Sequence, residues 1–278
     1  MISTGGHLTI LESVDSTNNY AMAMVRNGLA KHGDGFFAMA QLQGKGQRGK
    51  TWQTEPGTNI ICTLVMQPLT IALSQQFAFN TAVSLAVRDF FDGRTGGDTS
   101  IKWPNDIYWR DRKAGGILIE NIIAGHETEQ GHAASGIGPP LSSATGLQIP
   151  STQQPTPNTP AWQWAIVGMG VNINQTSFPE NIRNAVSLKQ ITGKDHDVIE
   201  LAKELCAHVQ SRYSQLLAGN HLLQEYNQQL FKKGSTVTLK KGNRVFEARI
   251  KEVTATGELV VITSMEEQFG FGEIEWRF

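Results

Sequence analysis

Short apolar runs along the first two thirds of the chain predict strands. The run at residues 59–66 is continuous and rich in β-branched side chains, which is typical of a strand buried on both faces. Another apolar run, at residues 165–167, enters a glycine-containing turn predicted over 168–174. The predicted strands of this part are residues 8–11, 36–41, 59–66, 101–103 leading into a strand-turn-strand unit over 106–123, and 165–167.

Apolar residues at helical spacing predict helices between and after these strands. Several residues that favour helix N-termini precede the first helix, and Gly28 is a suitable residue for its end. Ser74 is expected to cap the second helix, which should extend to about Phe91. The predicted helices are residues 18–27, 74 to about 91, about 198–216, and a shorter one over 221–231.

From Gly234 onward the pattern changes to short alternating segments separated by tight turns. This pattern predicts a small β-barrel or sandwich. Its expected strands are residues 236–240, 244–253, 259–263 and 269–276. We therefore expect a larger domain over residues 1–232 and a small one over residues 233–278.

Residues 125–160 differ from both parts, because glycine, proline, serine and threonine supply most of the segment. Such a composition cannot bury a core and is typical of a flexible insertion. Since both flanks are predicted strands, we interpret the segment as an insertion at the tip of a hairpin.

Composition narrows the class of protein. The formal net charge is −1, so no overall basic field indicates a nucleic-acid partner. The two cysteines, Cys62 and Cys206, lie far apart and fit buried thiols better than a disulfide framework. The N-terminus lacks the pattern of a signal peptide, and the apolar runs are too short to span a bilayer. We expect a soluble, cytoplasmic protein.

Three segments carry candidate chemistry. The loop from Gly44 to Lys50 combines three glycines with three cationic side chains, so it suits an anion such as a phosphate or a carboxylate. Residues 44–51 match the spacing of the P-loop pattern, but we do not interpret them as a P-loop, because no helix is predicted directly after them. Taken alone, an exposed basic loop explains it equally well.

The second segment is Lys-Trp-Pro-Asn-Asp at residues 102–106, followed by Lys113 and a Gly-Gly pair at the start of an apolar strand. A lysine in this position suits the stabilisation of charge on a reacting phosphoryl or acyl group. The third segment, Gly-Met-Gly-Val-Asn-Ile-Asn at residues 168–174, allows a backbone to pass close beneath a ligand.

Together these segments resemble the biotin–protein ligase family, in its monofunctional form without an N-terminal DNA-binding domain. The family's GRGRxGRxW loop is similar to residues 44–52, and its KWPND motif is present unaltered at residues 102–106. Residues 113–120 resemble its Kx2GIL.E element, residues 168–174 its GxGxNxN element, and residues 16–18 its STN element. Apart from the insertion, the resemblance extends from about residue 8 to the C-terminus.

The resemblance implies an α+β protein. Its catalytic domain would resemble class II aminoacyl-tRNA synthetases, with a mixed sheet and flanking helices, and an SH3-like β-barrel would follow. It implies an ATP-dependent ligase that couples biotin, through biotinyl-adenylate and with Mg²⁺ carried on the ATP phosphates, to a lysine of a biotin carboxyl carrier domain. No DNA or membrane partner is expected, and the oligomeric state is left open, with a homodimer among the alternatives.

The resemblance also assigns site residues by position. Catalytic roles fall to Lys113, Arg48 and Asp106, with Asp106 orienting or deprotonating the incoming lysine. Biotin contacts are implied for Ser16, Thr17, Asn18, Gln41, Lys45, Gly46, Gln47, Lys113, Gly115, Gly116 and Ile117. Adenylate contacts are implied for Gly44, Lys45, Arg48, Trp52, Asn105 and Asn172.

One departure concerns Gln47, which stands where many members of the family carry a basic residue. If the neighbouring Arg48 does not supply that charge, the reactive adenylate would be held more loosely. Two alternatives remain at this point. One is a lipoate–protein ligase, whose substrate lacks the polar ureido head. The other is a non-catalytic protein that binds the ligand or the carrier.

Overall fold

The computed structural model describes residues 6–124, 162–182 and 184–277. In these residues the first part of the chain forms a seven-stranded mixed sheet, in the order β1-β2-β3-β7-β6-β5-β4. Only the β1–β2 pair is parallel among the pairs of this sheet. The strands are β1 (Leu8–Val14), β2 (Gly35–Gln41), β3 (Ile60–Met66), β4 (Thr99–Lys102), β5 (Asp106–Trp109), β6 (Arg112–Ile123) and β7 (Trp162–Val171).

Helices cover both faces of this sheet. Strand β3 is buried along its whole length, as its continuous apolar run predicts. Leu64 and Met66 contribute to a core shared with the long helices, whereas Val65 packs in a second cluster with residues of the first helix. The helices are α1 (Thr17–Arg26), α2 (Gln76–Thr95), α3 (Leu188–Thr192), α4 (Val198–Leu217) and α5 (Leu223–Gln228).

The boundaries of two helices, α2 and α5, differ from the predicted ones. Ser74 does not cap α2, because it lies inside a 3-10 turn, Leu73–Gln75, that precedes the helix. Helix α2 then continues past Phe91 to Thr95 and is followed by Gly96, whose φ of 74° suits a residue without a side chain. Helix α5 is shorter than predicted. No helix among the described residues is long and apolar enough to cross a membrane.

Strands β6 and β7 form a long antiparallel hairpin, from Gly115 opposite Val171 to Ile123 opposite Trp162. The predicted turn over 168–174 therefore begins too early, since β7 continues to Val171. The pairing of the two flanks agrees with a hairpin. The predicted insertion at 125–160 itself lies outside the described residues.

The second sheet is antiparallel, with the order β11-β10-β9-β8-β12 in the described residues. The predicted strand over 269–276 is wrong as a single element, because residues 270–273 form a turn in which Gly272 has a φ of 88°. We call residues 270–273 the C-terminal turn. The strands are β8 (Thr236–Lys241), β9 (Arg244–Val253), β10 (Leu259–Ile262), β11 (Glu266–Phe269) and β12 (Glu275–Arg277).

Polar bonds join the two sheets around the segment that follows β4. The indole Nε1 of Trp103 donates to the carbonyl oxygen of Gly257, at 2.9 Å. Asn227, in α5, exchanges two side-chain hydrogen bonds with the backbone of Val253. These bonds fix the second sheet against the first, because breaking the buried pair at Asn227 would leave polar groups without partners.

The cysteines are both free thiols, as the composition predicts. Cys62 lies on β3 and Cys206 on α4, and their Sγ atoms are 3.7 Å apart. The contact with the Cys206 thiol, together with burial, raises the pKa of the Cys62 thiol well above its ordinary value, which keeps it protonated.

Candidate functional site

A cavity of about 390 Å³ opens between the two sheets. The first sheet contributes the start of α1, the loop after β2, the turn between β4 and β5, and the facing parts of β6 and β7. The second sheet contributes the C-terminal turn and β12. The cavity therefore gathers all three sequence segments that carry candidate chemistry.

One end of the cavity has a polar, uncharged wall, which we call the polar floor: Ser16, Thr17, Asn18 and Gln41. Ser16 is the N-cap residue of α1, but its side chain makes no cap hydrogen bond, so the hydroxyl is left for the cavity. Ser16, Thr17 and Asn18 are 2%, 4% and 3% exposed. Hydroxyl and amide groups held this way suit a neutral ligand with several hydrogen-bonding atoms.

Residues 44–52, which we call the basic loop, form a second wall. The loop closes on itself through Trp52 N to Gly44 O at 2.8 Å and Gly46 N to Lys50 O at 2.6 Å. Arg48 adopts a left-handed conformation, with φ of 57°. Its guanidinium reaches the C-terminal turn, since a Cβ added to Gly272 would be 3.2 Å from Arg48 Cζ.

The Trp52 side chain closes the cavity above β7. Its indole lies directly on Gly170, where an added Cβ would be 2.4 Å from the ring. Gly170 is therefore required by this close approach. The buried Nε1 of Trp52 has no hydrogen-bond partner within the described part of the chain. A ligand with an acceptor at this position would satisfy it.

The turn over residues 103–106 is held from several directions. The peptide bond between Trp103 and Pro104 is cis. The Pro104 carbonyl accepts from Tyr226 Oη at 2.9 Å and from Asn80 Nδ2 at 3.2 Å. The Asn105 side chain donates to the backbone oxygen of Ile117, on β6. These bonds fix the turn, and with it Asp106, at the cavity wall.

Asp106 and Lys113 form an ion pair, with 2.6 Å between Oδ1 and Nζ. Both side chains are about one third exposed, so ligand groups in the cavity can reach them. The Lys113 ammonium also lies 5.6 Å from the centre of the Trp52 ring. An ammonium placed between a carboxylate and an aromatic face can exchange the carboxylate for an anionic ligand that enters the cavity.

Lys102 adds a half-buried cation to the same wall. Its Nζ lies 3.2 Å from Tyr108 Oη and 5.3 Å from the ring centre of Trp276. Burial lowers the pKa of Lys102 to about 8. The negative charge of Asp106 opposes this shift, and the positive charges of Lys113 and Lys50 add to it. An anion bound nearby would favour the charged form of Lys102.

The charge of the cavity wall is strongly positive. Five cationic side chains face two carboxylates, Asp106 and Glu275, among the described lining residues. Such a wall suits a polyanion such as a nucleotide triphosphate. The cations are Lys45, Arg48, Lys50, Lys102 and Lys113.

Most of the residues that the sequence predicts for the site line this one cavity. Gly44, Gly115 and Asn172 do not lie on its wall. Gly44 and Gly115 pack closely against backbone oxygens of Trp52 and Gly170. The Asn172 amide donates to the backbone oxygens of Lys113 and Val186, so it holds the strand that presents Lys113 rather than the cavity.

Sequence reasoning missed the contribution of the second sheet. Phe271, Gly272 and Trp276 line the cavity, although they lie more than 150 residues after the motif that they face. It also assigned no role to Lys102, whose position in the KWPND motif was the available signal.

The donor set gives no dedicated metal centre, because no group of three or more His, Cys, Asp or Glu side chains converges in residues 6–124, 162–182 and 184–277. Mg²⁺ can be held largely by phosphate oxygens and waters with one or two carboxylates. Asp106 and Glu275 fit that limited role.

Comparisons with known proteins show what this chain is similar to. Residues 10–137 match the model of the biotin/lipoate A/B protein ligase family. The chain is 26% identical over 212 residues to the bifunctional ligase/repressor BirA of Bacillus spizizenii, covering 75% of this chain and 54% of that protein. It is 34% identical over 137 residues to a biotin–[acetyl-CoA-carboxylase] ligase of Paracoccus denitrificans, covering 49% and 55%.

Among solved structures, the biotin protein ligase of Aquifex aeolicus in complex with biotin and ATP superposes with a TM-score of 0.70 at 22% identity, covering 98% of both chains. This confirms the predicted fold class, with a synthetase-like mixed sheet and a second small sheet. Residues 10–137 are thus similar to the biotin/lipoate A/B protein ligase family, and the curated relatives named here are ligases. The chain spans between about a third and half of the length of the first curated relatives.

Proposed function

We propose that this protein is an ATP-dependent biotin–protein ligase, which joins biotin to a lysine of a biotin carboxyl carrier domain. One observation carries the proposal: a single cavity contains an uncharged polar floor beside a cluster of cations. The first suits a neutral ureido ring, and the second suits a carboxylate and a triphosphate. We further propose that residues 1–232 form the catalytic domain and residues 233–278 the small one.

In the first step, the biotin carboxylate attacks the α-phosphorus of ATP. An O–P bond forms, the bond from that phosphorus to its bridging oxygen breaks, and pyrophosphate leaves. Two anions must meet here, so the cavity has to neutralise charge. Lys113 would leave Asp106 to bind the carboxylate and the α-phosphate, and Arg48 and Lys102 would bind the remaining phosphates. Mg²⁺ would add charge neutralisation on the phosphates.

In the second step, the amine of a carrier lysine attacks the acyl carbon of the adenylate. A C–N bond forms, the C–O bond to the phosphate breaks, and AMP leaves. The amine must lose a proton, and Asp106 would orient it and accept that proton once Lys113 has turned to the ligand. The two members of the 2.6 Å ion pair would therefore serve different steps, Lys113 the first and Asp106 the second.

The test is an intact-mass measurement of a purified biotin carboxyl carrier domain after incubation with the protein, biotin and Mg-ATP. We expect the carrier to gain one biotinyl group, only when ATP is present. Parallel reactions contain lipoate with a lipoyl carrier domain. Gain of a lipoyl group alone would replace the proposal with a lipoate ligase, and no gain in either reaction would favour a binding protein.

A further inference from the structure

A chain of hydrogen bonds runs beneath the polar floor and connects Glu120 to Gln41. We call it the relay: Glu120, Asn18, Thr63, Thr17 and Gln41. The Asn18 amide nitrogen lies 2.8 Å from Glu120 Oε2, and Thr63 Oγ1 lies 2.6 Å from Asn18 Oδ1 and 2.8 Å from Thr17 Oγ1. Gln41 Oε1 then accepts from the backbone nitrogen of Thr17 at 2.8 Å. Glu120 and Thr63 do not line the cavity.

The carboxylate at one end determines the orientation of the Asn18 amide. An ionised carboxylate only accepts hydrogen bonds, so the amide nitrogen of Asn18 must face Glu120. The backbone oxygen of Leu118, at 3.3 Å from the same nitrogen, requires the same orientation. A flipped amide would place its oxygen against two acceptors. The Asn18 oxygen is therefore directed to Thr63.

The direction of the hydrogen bonds is next fixed at the hydroxyl groups of Thr63 and Thr17, because each has one proton to donate. Because Asn18 Oδ1 can only accept, the Thr63 proton is used there, at 2.6 Å. Thr63 must then accept at its 2.8 Å contact, which uses the proton of Thr17. The longer contact between Thr17 Oγ1 and Gln41 Oε1, 3.1 Å, is left without a proton. In this arrangement the Thr17 backbone N–H is the donor to Gln41 Oε1, at 2.8 Å.

The result is a polar floor in which Thr17 Oγ1 and Gln41 Oε1 keep lone pairs that can accept hydrogen bonds. Its hydroxyl protons are directed inward, along the relay, and the Gln41 oxygen keeps a lone pair for a ligand. A ligand that donates N–H groups satisfies such a surface, whereas an apolar ring leaves its buried acceptors without partners. A cyclic urea has two N–H donors, and a dithiolane has none.

We propose that Glu120 and Thr63 are positioning residues that fix the direction of the relay, so that the cavity selects a cyclic urea over a dithiolane. This inference rests on the proposed function and deepens it. Neither residue touches the ligand, so each acts through Asn18, Thr17 and Gln41.

The test measures biotin binding by calorimetry without ATP, together with the KM values for biotin and ATP in pyrophosphate exchange. Thr63→Val removes the central hydroxyl at nearly constant volume, and Glu120→Met removes the terminal acceptor. We expect each to weaken biotin binding about tenfold, because buried partners lose hydrogen bonds, while the KM for ATP changes by less than about twofold. The preference for biotin over lipoate should fall together with the affinity for biotin.

Conservative variants separate this role from general packing. Thr63→Ser keeps the hydroxyl, and the Oε1 of Glu120→Gln still accepts from Asn18, so both should bind biotin within about threefold of the native protein. Thr81→Val is the matched control, since the Thr81 hydroxyl is buried but finds no hydrogen-bond partner among the described residues. It should leave biotin binding unchanged.

The outcomes are distinguishable. If the native protein binds biotin and Thr63→Val, folded by circular dichroism, binds it equally well, the relay does not position the site and the inference is overturned. Equal losses for biotin and ATP would likewise overturn it, because they indicate a general structural role. If the native protein itself does not bind biotin, the proposed function fails, and this inference fails with it. Should Thr63→Val not fold, the Glu120→Met and Glu120→Gln pair decides the question in the same way.

Discussion

The polar floor and the basic loop belong to one cavity but are built in opposite ways. Ser16, Thr17 and Asn18 are almost fully buried, and hydrogen bonds to β3 and β6 fix Thr17 and Asn18. Lys45, Arg48 and Lys50 are exposed, and the loop that carries them bonds mainly to itself. Under the proposed function, a preorganised surface would recognise the neutral part of the ligand, and a segment with few buried contacts would neutralise its charge.

The largest effect should come from the residue between these two regions. Lys113→Ala removes the ammonium that would bind the reacting carboxylate and phosphate, so we expect kcat/KM in pyrophosphate exchange to fall about 100- to 1000-fold. Lys189→Ala is the matched control, because Lys189 forms a 2.7 Å ion pair with Asp195 away from the cavity. If kcat/KM of Lys113→Ala fell by less than about tenfold, Lys113 would not be a catalytic residue of the reaction.

Two glycines on β7 allow the floor and the loop to be disturbed separately. An alanine Cβ at Gly168 would be 2.3 Å from Asn18 Oδ1, and one at Gly170 would be 2.4 Å from the Trp52 ring. Overpacking typically costs about 1–3 kcal/mol. We expect Gly168→Ala to raise the KM for biotin about ten- to hundredfold and to lower the melting temperature.

Gly170→Ala should instead raise the KM for ATP, with a smaller change in melting temperature, because the exposed loop can move with Trp52. Differential scanning fluorimetry and exchange kinetics on both variants provide the measurement. Equal effects of the two variants on both KM values would contradict the division into a fixed floor and an adjustable loop.

The pH dependence of ATP binding should identify Lys102. Because burial lowers its pKa to about 8, this lysine loses its charge as the pH rises from 7 to 9. The polyphosphate stays anionic over that range, so we expect the KM for ATP to rise about three- to tenfold. Lys102→Arg keeps the charge and should flatten the profile, whereas Lys251→Arg, on the second sheet, should not. An unchanged profile in Lys102→Arg would assign the titration to another group.

The smallest effect concerns the bond between the two sheets. Trp103→Phe removes the donor to the Gly257 carbonyl but keeps most of the aromatic volume. We expect the free energy of unfolding to fall by about 1 kcal/mol, measured by urea denaturation, with little change in the KM for biotin. A large change in that KM would show that the polar floor also depends on the second sheet.

Much of the fold could be predicted from local patterns. The buried strand β3 and the hairpin β6–β7 follow from continuous apolar runs, and α4 follows from its helical spacing. The C-terminal turn could not be predicted in this way, because its aromatic and acidic residues continue an alternating pattern. The interruption between β11 and β12 shows in the conformation of Gly272.

The site was predictable where a motif touches the cavity and unpredictable where contact depends on tertiary packing. The position of Asn172 after β7 suggested a ligand contact, yet its amide is used by backbone oxygens. Thr63 lies within an apolar strand and belongs to no motif, so nothing local indicates its bonds to Thr17 and Asn18. Such roles depend on partners about 45 residues away in the chain.

The long hairpin of β6 and β7 has a practical consequence for protein engineering. Gly116 and Gly170 face each other at the cavity, while Ile123 and Trp162 pair at the other end. A strand rises about 3.4 Å per residue, which places the two ends roughly 25 Å apart. The end of the hairpin where Ile123 pairs with Trp162 is thus a candidate attachment point for a fluorescent reporter or an affinity module, joined to the cavity by two paired strands.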